Sequence, residues 1–136
     1  LRVLRQGGTI AFSSWPPELF MGQLFQINAK YGLPLPDGAA SPAHWGSVDI
    51  VRKRLQNQVQ YITFDRDKLE MPGLSVEHIR NNFETGAGPL KRMIEAFIDD
   101  PDKLSALRGE IDAAISTYFG DNFLRMDFLM VKAMKI

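Results

Sequence analysis

The chain has 136 residues, 45% of them hydrophobic and 24% charged, a composition typical of a single globular domain over residues 1–136. Sixteen basic and sixteen acidic side chains cancel, so no net field favours nucleic acid or an anionic membrane as a partner. The chain has no cysteine, which excludes thiolate chemistry, and no apolar run near the roughly 20 residues that span a bilayer. With no signal-peptide pattern at the N-terminus, we expect a soluble, cytoplasmic protein.

The first predicted elements are the end of a helix and a buried strand. Leu1–Arg5 has the apolar spacing of a final helical turn, and the glycines at positions 7 and 8 supply a left-handed stop. Thr9–Trp15 is a short apolar run with β-branched and aromatic members, closed by two prolines. Its composition predicts a strand covered on both faces, as in α/β sheets.

Apolar periodicity predicts five helices and two further strands along the rest of the chain. The helices are expected at about 18–31, 48–56, 76–85, 88–97 and 104–118. Alternation predicts a strand at Val59–Phe64, and nearly continuous apolar content predicts the last strand at Phe123–Met134. Residues 32–46, rich in glycine, alanine and proline, are predicted to form an irregular loop, and loops of this length are often functional.

Motifs for common chemistries are weak. The two glycines of ETGAGPL lack the strand, third glycine and lysine of a phosphate-binding loop. Asp65–Asp67 resembles the start of a calcium loop, but Leu69 occupies a ligand position. His44 and His78 have no second histidine at metal-ligand spacing. The sequence therefore predicts no metal site and indicates no catalytic residue.

Aromatic residues concentrate around the end of the first strand, the following helix and the long loop. Most aromatic residues at such spacing pack in a core, but ligands of open α/β sheets bind at the carboxyl ends of strands. Trp15, Phe20, His44 and Trp45 are therefore the candidate pocket residues, with the two tryptophans best placed.

The string LRVLRQGGTIAFSSW resembles the L-x-V-L-[KR]-P-G-G-x-[LI] segment of class I S-adenosylmethionine-dependent methyltransferases of the ubiquinone and menaquinone biosynthesis type. In that family the segment forms the end of the fourth helix and the fifth strand, and Gln6 stands here where the family usually has proline. Residues 45–55, 59–72 and 123–136 are similar, in order, to the helix after strand five, strand six and strand seven. The resemblance covers the whole chain and the C-terminal half of the family fold.

The resemblance implies a partial Rossmann-like methyltransferase fold of α/β class. We expect a small mixed three-stranded sheet, in which the first and second strands flank an antiparallel C-terminal strand, covered by about five helices. In the family, the parts that correspond to residues 15–46 and to a helical insertion at about 73–120 cover the acceptor pocket. S-adenosylmethionine is the cofactor of a complete member, but its glycine-rich turn and acidic ribose ligand are not found here, so no cofactor is expected for this chain alone.

Two functions remain open from the sequence. The first is the acceptor side of a truncated or split methyltransferase that is inactive alone. The second is a non-catalytic module, derived from that fold, that binds a small apolar ligand or a protein. In either case the Thr9–Trp15 strand has an open apolar edge, which invites pairing. We therefore expect a homodimer or a complementary chain at this edge.

Overall fold

The computed structural model describes residues 1–32 and 38–136, and in these it places five α-helices, one 3₁₀-helix and one sheet. The strands are β1, Thr9–Ser14; β2, Val59–Pro72; β3, Phe119–Gly120; and β4, Phe123–Lys135. The α-helices are α1, Phe20–Tyr31; α2, Val48–Leu55; α3, Val76–Gly86; α4, Gly88–Ala96; and α5, Pro101–Tyr118. The predicted α/β class and the five helices are confirmed.

β4 runs through the middle of the sheet, antiparallel to β1 on one side and to β2 on the other. The predicted position of the C-terminal strand is thus confirmed. The sheet differs from the prediction in two ways, because it has a fourth strand, β3, and because all neighbouring strands in the described chain are antiparallel rather than mixed. β3 is two residues long, too short to show alternation, and a tight turn with positive φ at Asp121 and Asn122 joins it to β4.

The N-terminal segment is a turn, not the predicted end of a helix. The Leu4 N–H donates to the Leu1 carbonyl oxygen at 3.1 Å, and the Lys135 ammonium donates to the carbonyl oxygens of both residues at 3.2 and 2.7 Å. The Lys135 ammonium thus satisfies two carbonyl oxygens that would otherwise accept from backbone N–H groups in a helix. The expected left-handed glycine is present at Gly7, where φ is 73°.

β2 extends eight residues beyond the predicted end at Phe64, because residues 65–72 all pair with β4. Their charged run, DRDKLE, has little intrinsic strand propensity, so the pairing with β4 overrides local preference. The predicted loop at 32–46 contains a 3₁₀-helix at Pro42–Gly46, and positions 33–37 of that prediction lie outside the described residues.

β4 contributes to two separate cores on opposite faces of the sheet. Leu124 packs with α1, α3, α4 and α5 in the larger core, whereas Leu129 and Val131 pack with α2 in the smaller one. Because side chains alternate along a strand, positions 124 and 129 point to opposite faces. The helices of residues 76–118 therefore cover one face at one end of the sheet, and α2 covers the other face.

Four charged side chains join α3 to α5, and we call them the α3–α5 clamp. Arg80 donates to Asp112 at 2.7 Å and to Glu84 at 3.0 Å, and Arg108 donates to both carboxylate oxygens of Glu84 at 2.9 and 2.8 Å. Burial alone would raise the pKa of Glu84, which is 9% exposed, but the hydrogen bonds from Arg108 and Arg80 outweigh it and lower that pKa. Glu84 therefore stays ionised inside the helical layer.

Candidate functional site

One side of β4 has a gap in its strand pairing. β1 pairs with β4 from Leu129 onward and β3 pairs only with Phe123 and Leu124, so within the described chain residues 125–128 have no strand neighbour on that side. A cleft of about 860 Å³ is lined by the end of α5, β3, the chain entering α1, and the middle of β2 and β4. We call it the β4 cleft, and its size is that of small-molecule sites in proteins.

Aromatic and aliphatic side chains form one wall of the β4 cleft. Leu19, Tyr118 and Phe119, all half-buried, supply it. The Tyr118 hydroxyl accepts a hydrogen bond from Gln23 Nε2 at 3.1 Å, and its ring lies 5.9 Å from that of Phe20. The hydroxyl donates to no acceptor in the described part of the chain.

Charged side chains from β2 and β4 form the rest of the lining. Arg66 donates to Glu18 at 3.0 Å, and both side chains are about half exposed, at 55% and 53%. Arg125 donates to both oxygens of Asp127 at 2.5 to 3.0 Å, and these bonds raise the pKa of the guanidinium above its usual value. Lys68 is hydrogen-bonded to a glutamate two residues further along the strand. Arg125 is thus firmly paired, whereas Arg66 is only loosely held.

Trp15, His44 and Trp45, three of the four predicted pocket residues, lie beside the carboxyl end of β1. The Ser14 hydroxyl donates to the Trp45 carbonyl oxygen at 2.6 Å, and a Cβ at Gly46 would come within 1.9 Å of the Trp15 carbonyl oxygen. Only glycine allows this approach, which brings the 3₁₀-helix onto the strand end. His44 is exposed on that helix.

Trp45 packs on the opposite side of β1 from the larger core. Its ring lies 5.6 Å from that of Phe12 in an edge-to-face contact, and the Arg54 guanidinium lies 4.6 Å from its centre. Phe20, by contrast, is 1% exposed in the larger core. The structure therefore separates Phe20 from the two tryptophans, and a ligand role for the four residues stays a prediction.

The lining of the β4 cleft was missed in the sequence. Arg66, Lys68 and Glu70 lie at every second position and so share one face of β2, but the alternation of residues 59–64 predicted a strand that ends before them. Tyr118 was predicted only as the last residue of the fifth helix. Arg125 was hidden in a segment that is otherwise almost continuously apolar.

A groove of about 460 Å³ lies between α1 and α5, and its polar groups are already engaged with one another. Lys30 and Tyr31 both donate to Glu110 Oε1, at 2.5 and 2.7 Å, and these two bonds lower the pKa of Glu110. Gln23 is bonded to Tyr118, and Gln26 to the Pro17 carbonyl oxygen. The groove therefore serves to hold α1 on α5.

No group of three or more potential metal ligands occurs within residues 1–32 and 38–136. In the same residues, no helix has the length and apolar character needed to cross a membrane. A scan against protein-family models and a search of curated proteins give no match to this chain. The strand order and the β4 cleft are thus the features that bear on function.

Proposed function

We propose that residues 1–136 form the acceptor side of an S-adenosylmethionine-dependent methyltransferase, with the cofactor-binding strands next to β1. The observation that carries the proposal is the order β1–β4–β2, in which the last strand lies antiparallel between two earlier ones. Consecutive strands usually become neighbours, so this insertion is a specific topological feature. It is the order that the resemblance of residues 1–15, 45–55, 59–72 and 123–136 implies.

The two outer strands differ in a way that favours a partner at β1. β2 carries features that block further pairing, namely a bulge with Tyr61 at φ 53°, a charged run at 65–70 and a terminal proline. β1, Thr9–Ser14, has no charged residue and no proline, and its register with β4 is uninterrupted. β2 has the character of a terminal strand, whereas β1 has that of an internal one.

The described residues do not themselves fit the cofactor. A dinucleotide-like or adenosyl ligand needs a strand that ends in a glycine-rich turn, so that the backbone can approach it closely. β1 ends at Ser14 and is followed by Trp15 and two prolines, and β2 ends at Pro72. We therefore assign the cofactor to strands outside this segment and derive no step through it.

In this proposal the chain binds and orients the methyl acceptor. Holding two reactants in line contributes much of the rate of a transfer reaction, and a closed site also excludes water. The β4 cleft supplies the pocket, and α5, fixed by the α3–α5 clamp, supplies the wall with Tyr118.

The upstream reading frame tests the proposal directly. We expect it to encode a strand that ends in a glycine-rich turn and a second strand that ends in an acidic residue. A protein carrying both parts should bind S-adenosylmethionine, and Ala11→Lys on β1 should weaken that binding about tenfold, whereas Thr63→Lys on β2 should not. An upstream frame without these elements, or saturable binding of S-adenosylmethionine to residues 1–136 alone, would contradict the proposal.

A second candidate function is a non-catalytic module, and the β4 cleft favours it because its volume of about 860 Å³ is that of a small-molecule site. Here the β1 edge would pair with a second copy. A two-fold axis at Ala11 would place Ile10 opposite Phe12 of the other copy, with faces matched. Sedimentation equilibrium of residues 1–136 decides: a dimer that Ala11→Lys dissociates supports this arrangement, and a monomer contradicts it.

A further inference from the structure

We propose that the β4 cleft binds a small organic carboxylate, with the carboxylate on Arg66 and the apolar body against Leu19, Tyr118 and Phe119. The claim that this carboxylate is the methyl acceptor rests on the proposed function. The claim that the cleft binds a carboxylate rests on the geometry of the cleft alone.

The unused hydrogen-bonding capacity of the cleft consists mainly of donors. Arg66 donates one N–H to Glu18, which leaves the other N–H groups of its guanidinium available. Lys68 donates one N–H to Glu70. The Tyr118 hydroxyl accepts from Gln23 and donates to no acceptor within the described residues. Of the two lining carboxylates, Asp127 already accepts three contacts from its neighbouring arginine, and Asp67 accepts from the Lys68 N–H. A ligand that brings acceptor oxygens matches this surplus.

Glu18 is a weak competitor for Arg66. Because the Arg66 and Glu18 side chains are each about half exposed, their ion pair contributes little to stability. A planar carboxylate can therefore take the guanidinium fork at small cost, and the fork geometry favours a carboxylate over a neutral amide. Glu18 would then move into solvent.

The apolar wall limits the ligand to one with a hydrophobic part. Leu19, Tyr118 and Phe119 keep half-buried surface at the cleft, and apolar area removed from water there adds to affinity. The volume of about 860 Å³ accommodates a ring with substituents. Small inorganic anions would leave this apolar wall exposed to water and should therefore bind less tightly than an organic carboxylate.

Benzoate is the probe that tests the proposal, with benzamide as its neutral isostere and chloride as the inorganic control. In a titration followed by amide NMR at constant ionic strength, we expect saturable shifts at residues 66–68 and 118–120. Benzamide should bind about tenfold more weakly, because the charge-assisted bond is lost. Equal binding of benzoate and benzamide, shifts elsewhere, or no saturable shift would overturn the proposal.

Two substitutions in one ion pair should act in opposite directions. Arg66→Gln should weaken benzoate binding about tenfold or more. Glu18→Gln, which removes the internal competitor, should tighten it about two- to fivefold. A general loss of structure would weaken binding in both variants, so the opposite signs distinguish recognition from unfolding. Arg92→Gln on the exposed side of α4 is the matched control and should change nothing.

Weaker binding in Glu18→Gln, or unchanged binding in Arg66→Gln, would overturn the assignment of Arg66 as the carboxylate ligand. The titration contains no cofactor, so its failure leaves the methyltransferase proposal to its own test at β1. Conversely, benzoate binding with no cofactor strands upstream would establish the site and remove only its role as an acceptor site.

Discussion

Helices α3–α5 enclose their apolar and charged groups, whereas nothing within residues 1–32 and 38–136 covers the outer edge of β1 or one of its faces. Leu107 and Ile111 on α5 are 0% exposed, and Glu84 on α3 is 9% exposed with both carboxylate oxygens bonded. On β1, by contrast, Thr9 and Ala11 are exposed on the face away from α2. The helical layer is therefore where folding stability should reside, and β1 is where a partner has surface to cover.

The largest effect should come from a cavity in the helical layer. Ile115 on α5 is 0% exposed, so Ile115→Ala should lower the free energy of unfolding by about 2–5 kcal/mol in urea. The matched change Ile10→Ala on half-buried β1 should cost about 1 kcal/mol, because less surface returns to water. Equal losses at the two positions would break the contrast between the regions.

Breaking the α3–α5 clamp should have the next largest effect. Glu84→Gln removes the charge that pairs with Arg80 and Arg108, and we expect a loss of about 2 kcal/mol, because both guanidiniums then lose their anionic partner in a partly buried site. Glu77→Gln, at a side chain 75% exposed, is the control and should change little. A loss at Glu77 as large as that at Glu84 would mean that burial is not the cause.

The clamp should also make stability depend on pH. The pKa of Glu84 is lower in the folded chain than its usual 4.5, so its contribution is complete above pH 4.5 and is lost as pH falls through the folded-state value. Unfolding free energies of the wild type and Glu84→Gln should therefore converge in acid and separate toward neutral pH. A constant difference over this range would contradict the assignment.

A smaller effect should separate two serine caps. Ser75 is the N-cap of α3 and its hydroxyl accepts from the His78 N–H at 3.1 Å, so Ser75→Ala should lower the free energy of unfolding by about 1 kcal/mol. Ser47 is the N-cap of α2 but makes no side-chain hydrogen bond there, so Ser47→Ala should leave thermal stability nearly unchanged. The reverse order would show that α2 is the better capped helix in solution.

One substitution on β1 should change folding stability least and association at the strand edge most. Ala11→Lys places a charge on an exposed position of β1, so the free energy of unfolding should change by less than about 0.5 kcal/mol. The same charge should suppress pairing at the β1 edge. Sedimentation of the variant against Thr63→Lys on β2 checks this, and equal behaviour would mean that the two edges do not differ.

The strand order could be predicted because the resemblance that covers the chain implies it. Most single helices and strands could be predicted from local patterns in the sequence. The first four helices lie close to their predicted bounds. α5 begins at Pro101, before the predicted start at about residue 104, and its cap is Asp100, whose carboxylate accepts from the Lys103 N–H. Asp102 lies in the first helical turn. Neighbouring aspartates have the same propensity, and only the path of the chain selects between them.

The candidate site was less predictable than the fold. Trp15 could be placed at the end of β1 because the end of a strand is a local feature, but Trp45 reaches that end through the 3₁₀-helix, a long-range contact. The β4 cleft could not be predicted either, because it joins residues far apart in sequence, such as Leu19 and Arg125. Its charged lining also depends on the full length of β2, which pairing with β4 determines.

The sequence by itself determined the α/β class and the order of the helices, because periodicity, caps and turn residues act over a few positions along the chain. The position of the C-terminal strand between the first two was predicted only from the resemblance. Only the tertiary structure decided how far β2 extends, which core each half of β4 joins, and that Arg66 and Tyr118 share one cleft. Those outcomes depend on strand pairing and burial between residues far apart in sequence, and the free energy of such contacts cannot be predicted from a short stretch of the chain.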